Sequence, residues 1–393
     1  MNVEVIKFGG TSLKTKKMRE KVVKIIQSLI KQNNKVIVVV SAIGRYPDYY
    51  ATDSLRRLAP NASLQEMDLL MSVGETISTV VLSSELKNKN IKSIAINTYE
   101  LGFATNSEFN NANIIKVNKE YLNKYLDLYD VLVVPGFQGI DEEGKVTTLG
   151  RGGSDFSAVV LAHQFGAKRV KIYSDVQGLM TANPKEVKDA RLIRTIGYDE
   201  VINMSYQGAK VVHYKAVEYA KEHNIEIELR SALNNDPGTV VKHINYKKKK
   251  IIGLGSIENL LYLVINFKDN LHLKQDEFFK ILSKFNIEID FLVFSPKEIK
   301  FVINDIDSEI LNKTFEKKEI KVSLVKECAK IALVNNNPNY NSNFIIKAIS
   351  YLLKNDINIL NVSNSYTTVW LLVEKKDLAK SLNLIHDYFK LGG

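Results

Sequence analysis

The chain is nearly devoid of cysteine. Cys328 is the single one among 393 residues. One thiol closes no internal disulfide, so core packing rather than covalent staples must hold the fold, and a disulfide-rich secreted scaffold is excluded. Cys328 sits in an apolar stretch and reads as a small buried side chain. The six histidines show no metal-ligand spacing. No basic-then-apolar leader opens the chain, and no apolar run reads as long enough to span a bilayer. A cytoplasmic protein with no membrane partner is expected. The formal charge is +10, yet the lysines are spread along the chain among many Asn and Ile. Only Lys247 to Lys250 form a run, between two apolar segments, and it reads as a solvated linker. A nucleic-acid partner is not expected, because no basic face interleaved with aromatics is present.

What is present is length and alternation. The length allows two or three domains. "NVEVIKF" and "KVIVVVSA" read as buried strands, with the helical pattern "KKMREKVVKIIQSLIKQ" between them. "SLQEMDLLMSVGETISTVVLSSELKNK" is a long helical pattern interrupted at Gly74. "IKSIAIN", "DVLVVPGF" and "RVKIYSD" read as further strands, and "GSDFSAVVLAHQFGA" as a helix. β-branched runs separated by helices predict an α/β fold, a mostly parallel sheet sandwiched by helices, over residues 1–242. Beyond the lysine run two similar units follow, with helix-then-strand cores "QDEFFKILSKF"–"NIEIDFLVF" and "NFIIKAISYLLKN"–"DINILNVSN". Two β-α-β-β-type units predict a pair of small α+β, ferredoxin-like domains, over 251–322 and 323–393.

Two glycine-rich loops carry the chemistry. In Lys7-Phe8-Gly9-Gly10-Thr11-Ser12, a strand ends and a helix begins. Backbone without side chains lets N–H groups approach a phosphate, and Lys7 would reach a transferring phosphoryl group. The loop taken alone is equally a tight turn with a solvent lysine. In "TTLGRGGSDFSAVVLA", Gly150, Gly152 and Gly153 surround Arg151, and Ser154 and Asp155 lead a helix. Either of the last two would serve as a plain N-cap, but a capped helix does not need three glycines around an arginine. The Arg151 fork suits a carboxylate. Gly139 to Val146 has the glycine and lysine spacing of a P-loop but fails on chemistry. Val146 replaces the metal-binding hydroxyl, and Asp141, Glu142 and Glu143 would repel phosphate. It reads as a hairpin turn.

"VIKFGGTS", "VVVSAIGR", "ATDSL", "SVGETIS", "TTLGRGGSD", "YSDVQGLMTANP" and "YQGAKVVH" occur in this order. In that order they resemble the aspartate kinases almost end to end over the catalytic portion. The paired C-terminal units resemble that family's ACT domains. "SAIGRYPDYYATDSL" and "EMDLLMSVGE" look most like the diaminopimelate-sensitive Gram-positive branch.

The resemblance implies transfer of the ATP γ-phosphoryl group to the side-chain carboxylate of L-aspartate, with Mg²⁺. This is the first step toward lysine and diaminopimelate, threonine and methionine. It implies that Lys7 bridges the phosphates, that Asp155 organises Lys7 and the metal, and that Arg151 clamps a substrate carboxylate. Phe8, Gly9, Gly10, Ser41, Gly152, Gly153, Ser174, Asp175, Met180 and Lys210 fall on the ATP side, with Thr181 near the adenosine. Thr52, Glu75, Arg151 and Ser154 fall on the aspartate side. Glu75 lies in an apolar helix, where a carboxylate is costly unless paired, and the family uses it on the substrate amino group. A homodimer through the ACT-like units is implied, as is an amino-acid effector: lysine, threonine or diaminopimelate. The competing readings are another amino-acid kinase, such as glutamate 5-kinase, and a regulatory paralogue that binds without turnover.

The chain departs from the family in its C-terminal half. The loop opening the second unit reads "LVNNNPNYN" instead of a "VGxGM"-like sequence, and Ser363-Asn364-Ser365-Tyr366 replaces "STSE". "FKDNLHLKQDE" lacks the usual glycine. Lysine is therefore expected to inhibit weakly or not at all. Inhibition at physiological lysine, with lysine bound on these loops, would overturn that expectation.

Overall fold

A computed structural model describes residues 2–208, 211–234, 236–246, 250–266, 271–284, 287–295, 297–305, 322–336 and 343–392. They form two compact units. The first holds the chain up to Leu179, Leu192–Tyr206 and the segment ending at Asn245. The second holds Met180–Arg191 and the residues from Tyr246 onward.

An eight-stranded sheet organises the first unit. Its order is Thr195–Ile196, Thr239–Val241, Glu226–Ser231, Arg169–Ser174, Asn2–Phe8, Asn34–Val40, Val131–Pro135 and Ser93–Ala95. The expected parallel arrangement holds everywhere except where Thr239–Val241 runs antiparallel to Glu226–Ser231. The β-branched runs fit because both faces are covered. Ile6, Phe8, Val36, Val38, Val40, Val131 and Val133 share one core with helices Lys16–Ile30 and Leu64–Lys87. The alternate side chains Val5, Ile37, Val39, Leu132 and Val134 are equally buried, as the two-residue period of a strand requires. Helix Gly153–Gln164 packs against the strand Asn2–Phe8.

A smaller sheet takes the order Ile114–Val117, Phe103–Thr105, Gln138–Ile140 and Val146–Thr148. Its last two strands pair antiparallel, Gln138 opposite Thr148. The P-loop-like stretch is therefore a hairpin turn, as its acidic residues require. Asp141 Oδ1 accepts from the N–H groups of Glu143 and Lys145, and Gly144 supplies the left-handed residue at φ 78°.

Helix Leu64–Lys87 starts at a reciprocal Ser63/Glu66 capping box and runs without a break. The interruption expected at Gly74 does not occur. Glycine is there for approach: a Cβ would lie 2.7 Å from Ala42 Cβ and 2.9 Å from the Tyr50 carbonyl. By length and composition alone this helix is also long and apolar enough to cross a bilayer. That corrects the expectation that no such run exists. Its buried Asp68, Ser72, Glu75, Ser78, Thr79 and Ser83 pack inside the unit instead.

The second unit is a six-stranded antiparallel sheet. Its order is Asp290–Phe294, Glu298–Asn304, Ile251–Asn266, Val322–Asn335, Thr368–Glu374 and Ile359–Asn364. Both repeats share it, because the long strands Ile251–Asn266 and Val322–Asn335 pair at its centre. Each is longer than its alternating pattern suggests. The register shifts between Ile257 and Leu260, and positive-φ residues Asn259 and Glu327 sit in the two strands. Such irregularities interrupt the hydrophobic alternation without ending the strand. Helix Leu271–Lys284 caps the first half through Phe278, Ile281 and Leu282. Helices Asn343–Leu353 and Leu378–Tyr388 cap the second through Ala348, Leu352, Leu382 and Ile385. Cys328 is buried and free.

Met180–Arg191 belongs to this unit. Ala182 and Val187 join its core, and Thr181 Oγ1 lies 2.9 Å from His386 Nε2. Small and apolar side chains in "MTANPKEV" find their burial on the last helix. The loops read as effector sites fall partly on 267–270 and 337–342, outside the described residues.

Gly74→Ala is expected to lower stability by about 1–3 kcal/mol, because overpacking against Ala42 and Tyr50 outweighs the helix-propensity gain. Thermal unfolding checks it. An unchanged or higher melting temperature would show that the contact yields.

Candidate active site

Four adjacent parallel strands deliver their C-terminal ends to one place, where open α/β sheets hold ligands. Asn2–Phe8 brings Lys7 and Gly9, Asn34–Val40 brings Ser41, Val131–Pro135 brings Gly136, and Arg169–Ser174 brings Ser174 and Asp175. Lys7 Nζ lies 2.7 Å from Asp155 Oδ1, with side chains 12% and 10% exposed. Asp155 stands in the first turn of helix Gly153–Gln164, where a negative charge is favoured. Its Oδ2 accepts from the N–H of His213 at 3.3 Å.

The glycines around Arg151 each have a reason. Gly150 and Gly152 adopt φ 74° and 73°. A Cβ on Gly150 would lie 2.9 Å from the Asn110 carbonyl, and one on Gly152 would lie 2.1 Å from His213 Cβ. Gly153 fits between Leu149 and Phe137. This loop presents Arg151 exposed, and its guanidinium forms no ion pair among the described residues. Ser154 packs against Gly136, whose Cβ would lie 2.8 Å from that of Ser154.

The first glycine loop differs from expectation. It opens a single turn, Gly10–Leu13, and the long helix Lys16–Ile30 starts separately at its own Thr15 cap. A strong helix dipole therefore does not point at the loop. The Gly9 N–H is also committed, to the Tyr173 carbonyl at 3.0 Å. Gly10 and Thr11 keep N–H groups at a helix start, where no intrahelical partner exists. Gly10 has a packing duty too: a Cβ would meet the carbonyls of Ala42 and Gly44 at 2.2 and 2.5 Å. Phe8 offers only backbone, since its ring is buried and stacked on Tyr173.

Glu75 is 2% exposed. Its Oε1 accepts from the Ala42 N–H at 2.9 Å, and its Oε2 has no hydrogen-bond partner among the described residues. Burial pushes its pKa up to about 8, against the pull of the Ala42 N–H and the Lys7 charge. Ser41 is tied by its carbonyl to Ser78 Oγ at 2.8 Å. Thr52 begins the short helix Thr52–Arg56, which packs on helix Leu64–Lys87 beside Gly74. Asp175 pairs with Arg45 at 3.2 Å, and Ser174 Oγ turns back onto Val176. Met180 lies in the second unit, and Lys210 lies outside the described residues.

Two residues were missed. His213 is half-buried, its Nδ1 has no hydrogen-bond partner among the described residues, and burial lowers its pKa. Its signal was its place at the end of "GAKVVH". Asp68 is fully buried and reaches Thr148, just before the Arg151 loop. Its signal was a carboxylate two helical turns before Glu75, on the same apolar face.

Among the described residues, no group of three His, Cys, Asp or Glu side chains is placed to hold a metal ion. Magnesium keeps several waters and binds through one or two carboxylates plus substrate phosphates. Asp155 fits that role for an ion that arrives with a nucleotide.

The amino acid kinase family profile matches residues 2–231, and an ACT domain profile matches 323–387. Aspartokinase 1 of Bacillus subtilis is 36% identical over the full length of both chains. An aspartokinase of Geobacillus stearothermophilus is 30% identical, covering all of this chain and 98% of its own. Among solved structures, E. coli aspartokinase III in complex with aspartate and ADP has a TM-score of 0.75 at 23% identity, covering 98% of this chain and 99% of its own. Clostridium acetobutylicum aspartate kinase has a TM-score of 0.78 at 22% identity, covering 99% of this chain and 100% of its own. These two likenesses describe the fold, while the full-length identities carry the relationship: the chain belongs to the amino acid kinase family and, within it, to the aspartokinases.

Proposed function

We infer that the chain transfers the γ-phosphoryl group of ATP to the side-chain carboxylate of L-aspartate, giving 4-phospho-L-aspartate and ADP. The observation that carries this reading is the Lys7–Asp155 pair, held where the strand ends converge, with Arg151 and Glu75 on flanking elements. Asp155 holds the Lys7 ammonium in one place, so the charge is preorganised rather than recruited. The acceptor is an ionised carboxylate at neutral pH. One of its oxygens forms the new bond to phosphorus as the bond to the β–γ bridging oxygen breaks. No proton has to move, and no general base is required. Negative charge spread over the transferring group is met by Lys7 and by the N–H groups of Gly10 and Thr11. Mg²⁺ would bind through the phosphates and Asp155, and would neutralise phosphate charge.

Arg151 takes one substrate carboxylate bidentately, and Glu75 takes the ammonium group. Ser154 and Thr52 complete the aspartate side. Ser41, Gly152, Gly153, Ser174, Asp175, Met180 and Lys210 complete the ATP side. Residues 1–242 act as the catalytic part, with 251–322 and 323–393 as ACT-type regulatory parts. Met180–Arg191 packs with the latter. A homodimer, a cytoplasmic location and a place at the entry to lysine, threonine and methionine synthesis follow from the same reading. E. coli aspartokinase III has been solved with lysine and aspartate, which supports an amino-acid effector here.

Hydroxamate formation with ATP and Mg²⁺ tests the reaction. L-Aspartate is expected to be turned over, and L-glutamate and N-acetyl-L-glutamate are not. Lys7→Ala should lower kcat about 100- to 1,000-fold in a folded protein. Turnover with none of the three acceptors would point to a regulatory paralogue.

Glu75 makes binding pH-dependent. Below about 8 its carboxyl holds a proton in the empty site, and an ammonium group prefers the ionised form. Binding therefore releases a proton, and the aspartate KM should fall as pH rises toward about 8 and then level off. The same raised pKa favours the folded state below the unfolded value of 4.5, and that contribution is lost as pH rises through about 8. Glu75→Gln should raise the aspartate KM and flatten its pH profile. A profile unchanged by the substitution would remove Glu75 from this role.

A further inference from the structure

Asp68 is a buried carboxylate with no cation beside it among the described residues. Every partner it has is a neutral donor. The Asn110 N–H lies 3.1 Å from Oδ1 and 2.9 Å from Oδ2. Thr148 Oγ1 donates to Oδ1 at 2.7 Å, and the Thr148 N–H donates to Oδ2 at 2.7 Å. Burial pushes its pKa up, while these donors pull it back. A fully desolvated carboxylate is an expensive way to join a helix to a loop.

Its donors hold both supports of the Arg151 loop. Thr148 ends the strand Val146–Thr148, two residues before the left-handed Gly150. Asn110 lies against Gly150, where its carbonyl leaves no room for a Cβ. The Ala112 N–H closes the arrangement on the Thr148 carbonyl at 2.9 Å. Asp68 also shares helix Leu64–Lys87 with Glu75, seven residues on, two turns along the same buried face. One rigid element thus carries Glu75 and, through Asp68, the seat of Arg151.

We propose that Asp68 is a positioning residue that sets the span between the two ends of the bound amino acid, Glu75 at its ammonium group and Arg151 at a carboxylate. The helix then works as a ruler, and the length of the acceptor is measured against it. This rests on the assignment of Arg151 and Glu75 to the substrate. Loosening the seat lets Arg151 shift, which weakens aspartate and admits a longer dicarboxylic amino acid.

The test is steady-state kinetics of Asp68→Asn, Thr148→Val, Thr148→Ser and Arg151→Ala, each with aspartate and with glutamate. Asp68→Asn keeps the shape but turns one acceptor oxygen into a donor facing N–H groups. It should raise the aspartate KM about tenfold or more, because Asn leaves the Asn110 and Thr148 donors imperfectly met and lets the Arg151 loop shift. The ATP KM should stay unchanged, and the preference for aspartate over glutamate in kcat/KM should narrow. Thr148→Val should move the same parameters in a chain that keeps Asp68, and Thr148→Ser should restore them. This pair carries the test if Asp68→Asn does not fold. A lower melting temperature and fewer active molecules, with the aspartate KM and the preference intact in both variants, would overturn the proposal and leave Asp68 a structural residue. If Arg151→Ala raises the aspartate KM while those two variants do not, the assignment of Arg151 stands and the ruler is wrong. If Arg151→Ala leaves that KM unchanged, both are wrong.

Discussion

Lys7 and Asp155 have little water left around them, and each would be costly to bury alone. That constraint reaches through the first unit. Lys7 stays on target only while the strand Asn2–Phe8 keeps its register between its parallel neighbours. Asp155 stays on target only while Gly152 turns the chain left-handed into helix Gly153–Gln164. His213 braces that turn from one side and donates its N–H to the second Asp155 oxygen. The ion pair is therefore the point at which a sheet strand, a helix start and a loop have to agree.

Charge in the empty site is arranged before any substrate arrives. Lys7 is balanced by Asp155, and Glu75 is held near neutrality by burial. Among the described residues, Arg151 has no ion-pair partner at the mouth of its loop. Such a site favours anions at entry without lowering the charge density that meets the transferring group. It also has little use for a base, because the nucleophile arrives ionised.

Much of this was legible in the chain. Alternating β-branched and helical runs predicted the parallel sheet, since strands buried on both faces have no polar phase to show. The glycines around Arg151 were suspicious before any coordinates, because a capped helix start does not require them. The P-loop-like hairpin was rejected on chemistry, through Val146 and the acidic run. Gly74 misled because helix propensity penalises glycine wherever it stands, and propensity cannot see the Ala42 and Tyr50 atoms that need its bare backbone. The apolar composition of Leu64–Lys87 likewise says nothing about which of its polar side chains find partners inside.

By itself the sequence determined the order of elements, the family and the types of group that meet the two anions, because these follow from periodicity and ordered motifs. Tertiary structure alone decided three things. Gly9 has already used its N–H on Tyr173. Met180–Arg191 packs with the last helix rather than with its sequence neighbours. Asp68 reaches Thr148 across eighty residues of chain. Each depends on which backbone groups and apolar surfaces come within a few ångströms, and sequence spacing does not carry that information when the partners lie on different strands and loops.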